Sequence, residues 1–205
     1  MESYDALLID AGTGNLQSVH NALLNLGVRI RISSAAEDLE QPNRIILPGV
    51  GAFRAFMDGM RQRGLVEPVC AAVRRGDPLL GICVGMQAFF QVGEEMGTHA
   101  GLGLLPGKVQ RFPEFKELKV PQTGWNELHF PSASPLFSEL PEGAYAYFNH
   151  SYYCVPADPS DIIATTDYGL EYACAVQRNN LFGVQFHPEK SQRVGQKILS
   201  NFVHL

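Results

Sequence analysis

The 205 residues, 45% apolar and 18% charged with a formal net charge of −5, describe an ordinary globular chain without the basic field that nucleic acid or anionic lipid requires. No apolar run approaches the roughly 18 residues of a membrane span. The acidic opening Met1-Glu2-Ser3-Tyr4-Asp5 lacks the basic segment, apolar stretch and cleavage site of a signal peptide. Four scattered cysteines (Cys70, Cys83, Cys154, Cys174), with no Cys-x-x-Cys pair, lead us to expect a reduced, cytosolic protein.

In chain order, Ala6-Leu7-Leu8-Ile9 is strand-like, and Leu16, Val19, Leu23 and Leu26 recur at helical spacing. Val28–Ile32 alternates as a strand, and Arg44–Leu47 is another. Helical stretches follow over Ala52–Met60 and Leu65–Arg74, then the buried-looking run Pro78–Ile82. Continuous apolar strands joined by helices predict a parallel sheet covered on both faces. The second half changes character. Ala144–Phe148, Ile162–Thr166, Ala173–Gln177 and Leu181–Phe186 read as strands, the last two joined by an Arg178-Asn179-Asn180 hairpin, and a helix closes the chain over Ser191–Val203. With no repeat, linker or low-complexity tract, residues 1–205 read as one α/β domain with antiparallel pairing toward its C-terminal half.

The strongest local feature is Gly81-Ile82-Cys83-Val84-Gly85-Met86-Gln87. A buried strand ends, glycines stand at −2 and +2 from the cysteine, and a helix-compatible stretch begins, which is the layout of a nucleophile elbow. The helix N-terminus favours thiolate over thiol, and the Val84 N–H can point toward a developing oxyanion. Taken alone, the motif fits a buried structural cysteine equally well. The other three cysteines lie on an amphipathic helix or in strands and read as packing residues.

A cysteine nucleophile needs a base, and the base needs an orienting group. His187-Pro188-Glu189 supplies both types: residues i and i+2 of an extended segment face one way, and Pro188 stiffens the pair. Among the other histidines, His150 follows a strand and could line a cleft; no two have metal-ligand spacing, so no metal or cofactor is expected. Asp10-Ala11-Gly12-Thr13-Gly14 follows the first strand but fails as a dinucleotide loop, because Gln17 takes the third glycine position and Ser33 and Ser34 replace the ribose-binding acid. A tight turn is the better reading. Pro48-Gly49-Val50-Gly51-Ala52-Phe53 ends another strand at the sheet edge where Cys83 emerges, and its backbone N–H groups could form the second half of an oxyanion site.

Together these segments, with Gly14-Asn15-Leu16, Gly124-Trp125-Asn126 and His150-Ser151-Tyr152, resemble class I (triad-type) glutamine amidotransferases. More narrowly they resemble the glutaminase subunits of imidazole glycerol phosphate synthase, over nearly the whole chain. The resemblance implies a flavodoxin-like, three-layer fold with a mixed, mostly parallel sheet. It implies Cys83 as nucleophile, His187 as base and Glu189 as its orienting carboxylate. An oxyanion hole would form from Val84 and from the Val50–Gly51 peptide after a flip, with Gly49, Gln87, Glu95, Ser151 and Tyr152 holding L-glutamine. The implied partner is a (β/α)8-barrel cyclase subunit that receives ammonia directly, in a cytoplasmic heterodimer of histidine biosynthesis. Asn15, Pro121, Thr123 and Trp125 fall on segments that face it. Two positions near that face depart from the family pattern: Gln122 stands where a histidine is expected, and Ala11 where a tyrosine often stands. A cysteine peptidase or γ-glutamyl hydrolase could use the same elbow but would not need the Pro-Gly-Val-Gly and Gly-Trp-Asn segments, and the intact Cys83, His187 and Glu189 argue against a non-catalytic binding subunit.

Overall fold

The computed structural model describes residues 4–41 and 44–205, so the part of the N-terminal reading that falls on residues 1–3 lies outside the described residues. Four strands, β1 (Ala6–Ile9), β2 (Ile30–Ser33), β3 (Arg44–Gly49) and β4 (Leu79–Cys83), form the parallel half of the main sheet, in the spatial order β2-β1-β3-β4. All of β1 and β4 is buried, as expected for a parallel sheet shielded on both faces. The crossovers carry α1 (Leu16–Leu24), α2 (Phe53–Gln62) and α3 (Val66–Arg75). In α2, Phe53, Phe56, Met57 and Met60 form one buried stripe at helical spacing. Helix α3 stops at Gly76, whose φ of +104° is open to glycine at little cost, with Arg74 and Arg75 against the negative end of its dipole. Helix α1 ends two residues before the predicted Leu26, because Leu26 and Val28, on either side of Gly27 (φ +76°), both turn their N–H groups back onto Leu23 O.

After β4 comes a one-turn helix α4 (Val84–Gln87), then β5 (Phe90–Gly93), β6 (His99–Ala100), β7 (Leu105–Arg111), β8 (Gln122–Glu127), β9 (Tyr145–His150), β10 (Tyr152–Pro156), β11 (Ile162–Asp167), β12 (Glu171–Arg178) and β13 (Leu181–Val184). The main sheet continues from β4 as β13-β12-β10-β7-β5-β6, with β11 beside β12. Strand β13 is parallel to β4, while β12 and β10 run antiparallel to their neighbours. The resulting sheet is mixed, with its parallel half first, as the sequence predicts. Strands β8 and β9 form a separate antiparallel pair. The β12–β13 hairpin closes on Asn179 at φ +53° and Asn180, one residue tighter than the predicted turn, since Arg178 still pairs with Leu181.

Five of these strands (β5, β6, β7, β8 and β10) are absent from the sequence reading. Strand β8, Gln-Thr-Gly-Trp-Asn-Glu, is mostly polar and half-exposed, so it lacks an apolar face. Strand β7 carries Pro106 and Gly107, and β10 is split from β9 by Ser151 alone. The closing helix α5 (Gln192–Val203) buries Ile198, Leu199, Phe202 and Val203. No described helix is long and apolar enough to cross a membrane.

Candidate active site

The two glycines flanking Cys83 are dictated by backbone contact. A Cβ on Gly85 would lie 1.8 Å from Leu47 O, and one on Gly81 would lie 2.7 Å from Met86 N and 2.5 Å from the Phe89 ring. Only glycine permits the chain to reverse from β4 into α4 this closely. The cysteine between them takes φ +55° and ψ −111°, a conformation that costs an L-residue about 1–3 kcal/mol. The surrounding sheet and helix hold it there.

Register supplies the neighbours. Gly49 of β3 pairs with Cys83 on one flank, and on the other Val184 pairs with Ile82, which carries Gln185 alongside Cys83. Two residues beyond Gln185 the chain reaches His187, on the same side of the extended segment. The His187 N–H donates to Tyr147 O at 2.9 Å, and the Ser191 hydroxyl donates to His187 O at 2.7 Å while accepting from Tyr147 N at 3.0 Å. The base segment is thereby stitched to β9. From outside, α5 presses so closely that a Cβ on Gly195 would meet Pro188 O at 1.8 Å.

His187 Nδ1 lies 2.8 Å from Glu189 Oε1, and both side chains are almost fully buried. Burial alone would lower the imidazole pKa, but hydrogen bonds and charge attraction from Cys83 and Glu189 outweigh it and raise it to about 10. The ring is therefore held as imidazolium at neutral pH, between the sulfur and the carboxylate. Burial pushes the Cys70, Cys154 and Cys174 thiols up, which makes them poor nucleophiles. His150 is buried, and burial lowers its pKa to about 4 despite a hydrogen bond to Tyr152 O.

Cys83 and His187 open onto a cavity of about 280 Å³, of amino-acid size, which Val50, Gly51, Val84 and Gln87 also line. Glu95, Ser151 and Tyr152 contribute to its wall, together with His150. Sequence reasoning thus selected residues from five separate segments that meet at one cavity. Gly49 is not among the lining residues: its α-carbon packs where a Cβ would meet Phe56 at 2.6 Å and Gly85 N at 2.9 Å. The Glu95 carboxylate accepts the Phe53 N–H at 2.6 Å, closing the uncapped start of α2. Gly51 takes φ +86°, a conformation open to glycine at little cost, and the space a Cβ would occupy there is empty.

Of the residues expected to face a partner, Pro121 lines the same cavity and Thr123 is exposed, bonding Asn149. Asn15 is exposed and caps α1 through the Ser18 N–H. Trp125 is 46% exposed, its ring edge-on to Tyr147 at 6.0 Å, so it is no core residue. The two departures, Ala11 and Gln122, are both buried. Gly12, at φ +84°, sits under the Arg63 guanidinium in the tight turn expected after β1. Sequence reasoning missed Gln185, Tyr172, Ser191 and Lys190. The first stands in the same Gln-Phe-His-Pro-Glu run as the base, two residues before His187, and that spacing was the only signal the sequence offered.

A family profile described as glutamine amidotransferase class-I matches residues 7–205. The subunit HisH of imidazole glycerol phosphate synthase from Moorella thermoacetica is 48% identical, covering 97% of this chain and 93% of that protein. The same subunit from Syntrophotalea carbinolica is 45% identical, covering 96% and 98%, and that from Geobacter sulfurreducens 46% identical, covering 95% and 96%. Among solved structures, a glutamine amidotransferase shares the fold with a TM-score of 0.75 at 18% identity, over 97% of this chain and 99% of that one. PurLQS from Thermotoga maritima shares it with a TM-score of 0.75 at 17% identity, over 97% of both chains. With a family profile and near-half identity both spanning almost its full length, the chain belongs to the class I glutamine amidotransferases, in the branch of the imidazole glycerol phosphate synthase subunits HisH.

Proposed function

We propose that residues 1–205 are one glutaminase domain that hydrolyses L-glutamine with Cys83, His187 and Glu189 and passes the ammonia to a cyclase subunit of (β/α)8-barrel form, in a heterodimer serving histidine biosynthesis. The observation that carries the chemistry is a sulfur on a forced turn that shares one cavity with a buried imidazole, whose Nδ1 is held by a carboxylate. In that pairing the Cys83 thiolate attacks the side-chain amide carbon of glutamine. The tetrahedral oxyanion is received by the Val84 N–H and an N–H of the Val50–Gly51 peptide. The His187 imidazolium gives its proton to the amide nitrogen, the C–N bond breaks and ammonia leaves, with a γ-glutamyl thioester on Cys83. Neutral His187 then takes a proton from water, which attacks the thioester carbon; the C–S bond breaks, glutamate departs, and thiolate and imidazolium are restored. Glu189 holds the ring orientation throughout and does not take the proton.

In this reading Gln87, Glu95, Ser151 and Tyr152 grip the substrate, and Asn15, Pro121, Thr123 and Trp125 meet the cyclase. The cyclase would join the ammonia to a phosphorylated ribulosyl intermediate, giving imidazole glycerol phosphate and an aminoimidazole carboxamide ribotide. The decisive experiment is a glutaminase assay of the chain alone and with the cyclase loaded with a substrate analogue. Slow turnover alone, strong stimulation in the complex and loss of at least about 10³-fold in Cys83→Ala are expected. Unimpaired glutamine turnover by Cys83→Ala would remove the nucleophile assignment, and no response to the cyclase would remove the partner.

A further inference from the structure

Beside the triad runs a series of polar groups that passes through Gln87 and the Tyr152 carbonyl and joins them to Gln185, His150, Tyr172 and Gln122, four buried side chains that the chemistry above leaves unused. The Gln185 amide, fully buried, places Nε2 3.6 Å from Cys83 Sγ, and its Oε1 accepts from Gln87 Nε2 at 3.0 Å. Gln87 Nε2 also donates to Tyr152 O at 3.0 Å, and the same carbonyl receives His150 Nδ1 at 2.8 Å. His150 Nε2 stands 3.1 Å from the Tyr172 hydroxyl, which lies 2.7 Å from Gln122 Oε1. Gln122 is the first residue of β8, so the series extends from the separate two-stranded sheet to the sulfur.

Donor and acceptor rules settle the direction of each link. A backbone carbonyl only accepts, so both groups facing Tyr152 O must donate. The Gln87 amide therefore turns its NH2 inward, and its second proton needs an acceptor. That fixes Gln185 with its oxygen toward Gln87 and its NH2 toward Cys83. The reverse orientation would leave two amide nitrogens facing each other and an oxygen facing the sulfur, with no bond made at either contact. Toward the other end, a His150 that donates from Nδ1 has a bare Nε2, in keeping with its depressed pKa of about 4. Tyr172 has one proton and faces two acceptors. The series is complete only when the hydroxyl donates to His150 and the Gln122 amide presents its NH2 to the Tyr172 oxygen.

We propose that Gln185 is a positioning residue for the Cys83 sulfur, its N–H donor held against the thiolate by the buried series Gln87, Tyr152 carbonyl, His150, Tyr172 and Gln122. The inference rests on Cys83 being the nucleophile. A donor aimed at sulfur favours its anionic form and fixes its rotamer, so the loss falls on the chemical step and not on substrate capture.

The test reads iodoacetamide alkylation of the Cys83 peptide by mass spectrometry in the isolated chain, with kcat and KM of the cyclase complex beside it. Gln185→Met keeps the volume and removes both polar contacts. Alkylation and kcat are expected to fall about tenfold, the worth of one hydrogen bond to a charged atom, with KM within about twofold. Gln185→Glu keeps the acceptor for Gln87 but faces the sulfur with an oxygen, so it is expected to be slower than Gln185→Met. A purely structural role would give the opposite order. Tyr172→Phe is expected to slow alkylation about threefold on its own and to add nothing to Gln185→Met, since that variant has already cut the series. A folded Gln185→Met that alkylates at the wild-type rate overturns the proposal, as do losses that simply multiply in the double variant. If Gln185→Met fails to fold, Tyr172→Phe, which deletes one oxygen, decides by the same assay: an unchanged rate overturns it. An active Cys83→Ala would sink the nucleophile reading itself; an inactive one beside a wild-type-like Gln185→Met sinks this inference alone.

Discussion

The parallel half of the sheet and the region that carries the base build the two sides of the site by different means. On the cysteine side, backbone meets backbone: Gly85 against Leu47 O, Gly81 against Met86 N, and Gly49 against Gly85 N. On the histidine side the backbone is also held closely, by Gly195 against Pro188 O and His187 N–H on Tyr147 O, but side-chain hydrogen bonds aim the functional groups: Ser191 with Tyr147 and His187, Glu189 with His187, Gln185 with Gln87 and Cys83. A steric frame tolerates no added atom, whereas a polar frame tolerates isosteric change but not loss of a donor or acceptor. The first protects the fold and the second tunes the chemistry.

The comparison breaks most visibly at Gly85→Ala. The new methyl would sit 1.8 Å from Leu47 O and 2.9 Å from Leu47 C, backbone atoms of the central strand β3 that cannot swing aside as a side chain would. A loss above about 3 kcal/mol in urea unfolding, or no soluble protein, is expected. A native-like unfolding midpoint would show that the elbow is not sterically forced. On the polar side, Glu189→Gln preserves shape while removing the charge that holds the imidazolium. Folding by circular dichroism is expected to persist while kcat falls on the order of 10², the usual worth of a positioned acid–base group. Collapse of the fold with little loss of specific rate would invert the contrast.

The smallest and finest test compares two histidines. His187, raised from its ordinary 6.5 to about 10, contributes stability that is complete below about 6.5 and lost as pH rises through 10. His150, lowered from 6.5 to about 4, acts in the opposite sense: stability is intact above 6.5 and lost as pH falls toward 4. Nitrogen-detected NMR is expected to show His187 as imidazolium through neutrality and His150 as neutral with its proton on Nδ1. In Cys83→Ala, where one of the groups raising it is gone, the His187 titration moves down. A His187 that titrates near 6.5 in the intact protein would mean that the sulfur and carboxylate do not hold it.

How much of this was legible follows from the same physics. The elbow was readable because its requirements are local: a continuous apolar strand, two glycines and a cysteine within seven residues. The His187–Glu189 pair was readable for the same reason, as an i, i+2 arrangement around a proline. Strand β8 was not, because its polar, half-exposed residues carry no periodic apolar signal and it exists by pairing with β9. Gln122 and Ala11 stood out as departures from the family pattern near the expected interface; their side chains are buried beneath it.

The sequence by itself determined the parallel frame, the glycine-forced turn at Cys83 and the chemical types of the base pair, since each depends on residues adjacent along the chain. Only the tertiary structure decided that Gln185 lies beside the sulfur, that Ser191 ties the base to β9, and that Gln122 ends a polar series reaching 39 positions back to Cys83 through Tyr172 and His150. Those contacts come from strand register and from the need of buried donors for acceptors, and neither is written in any one segment.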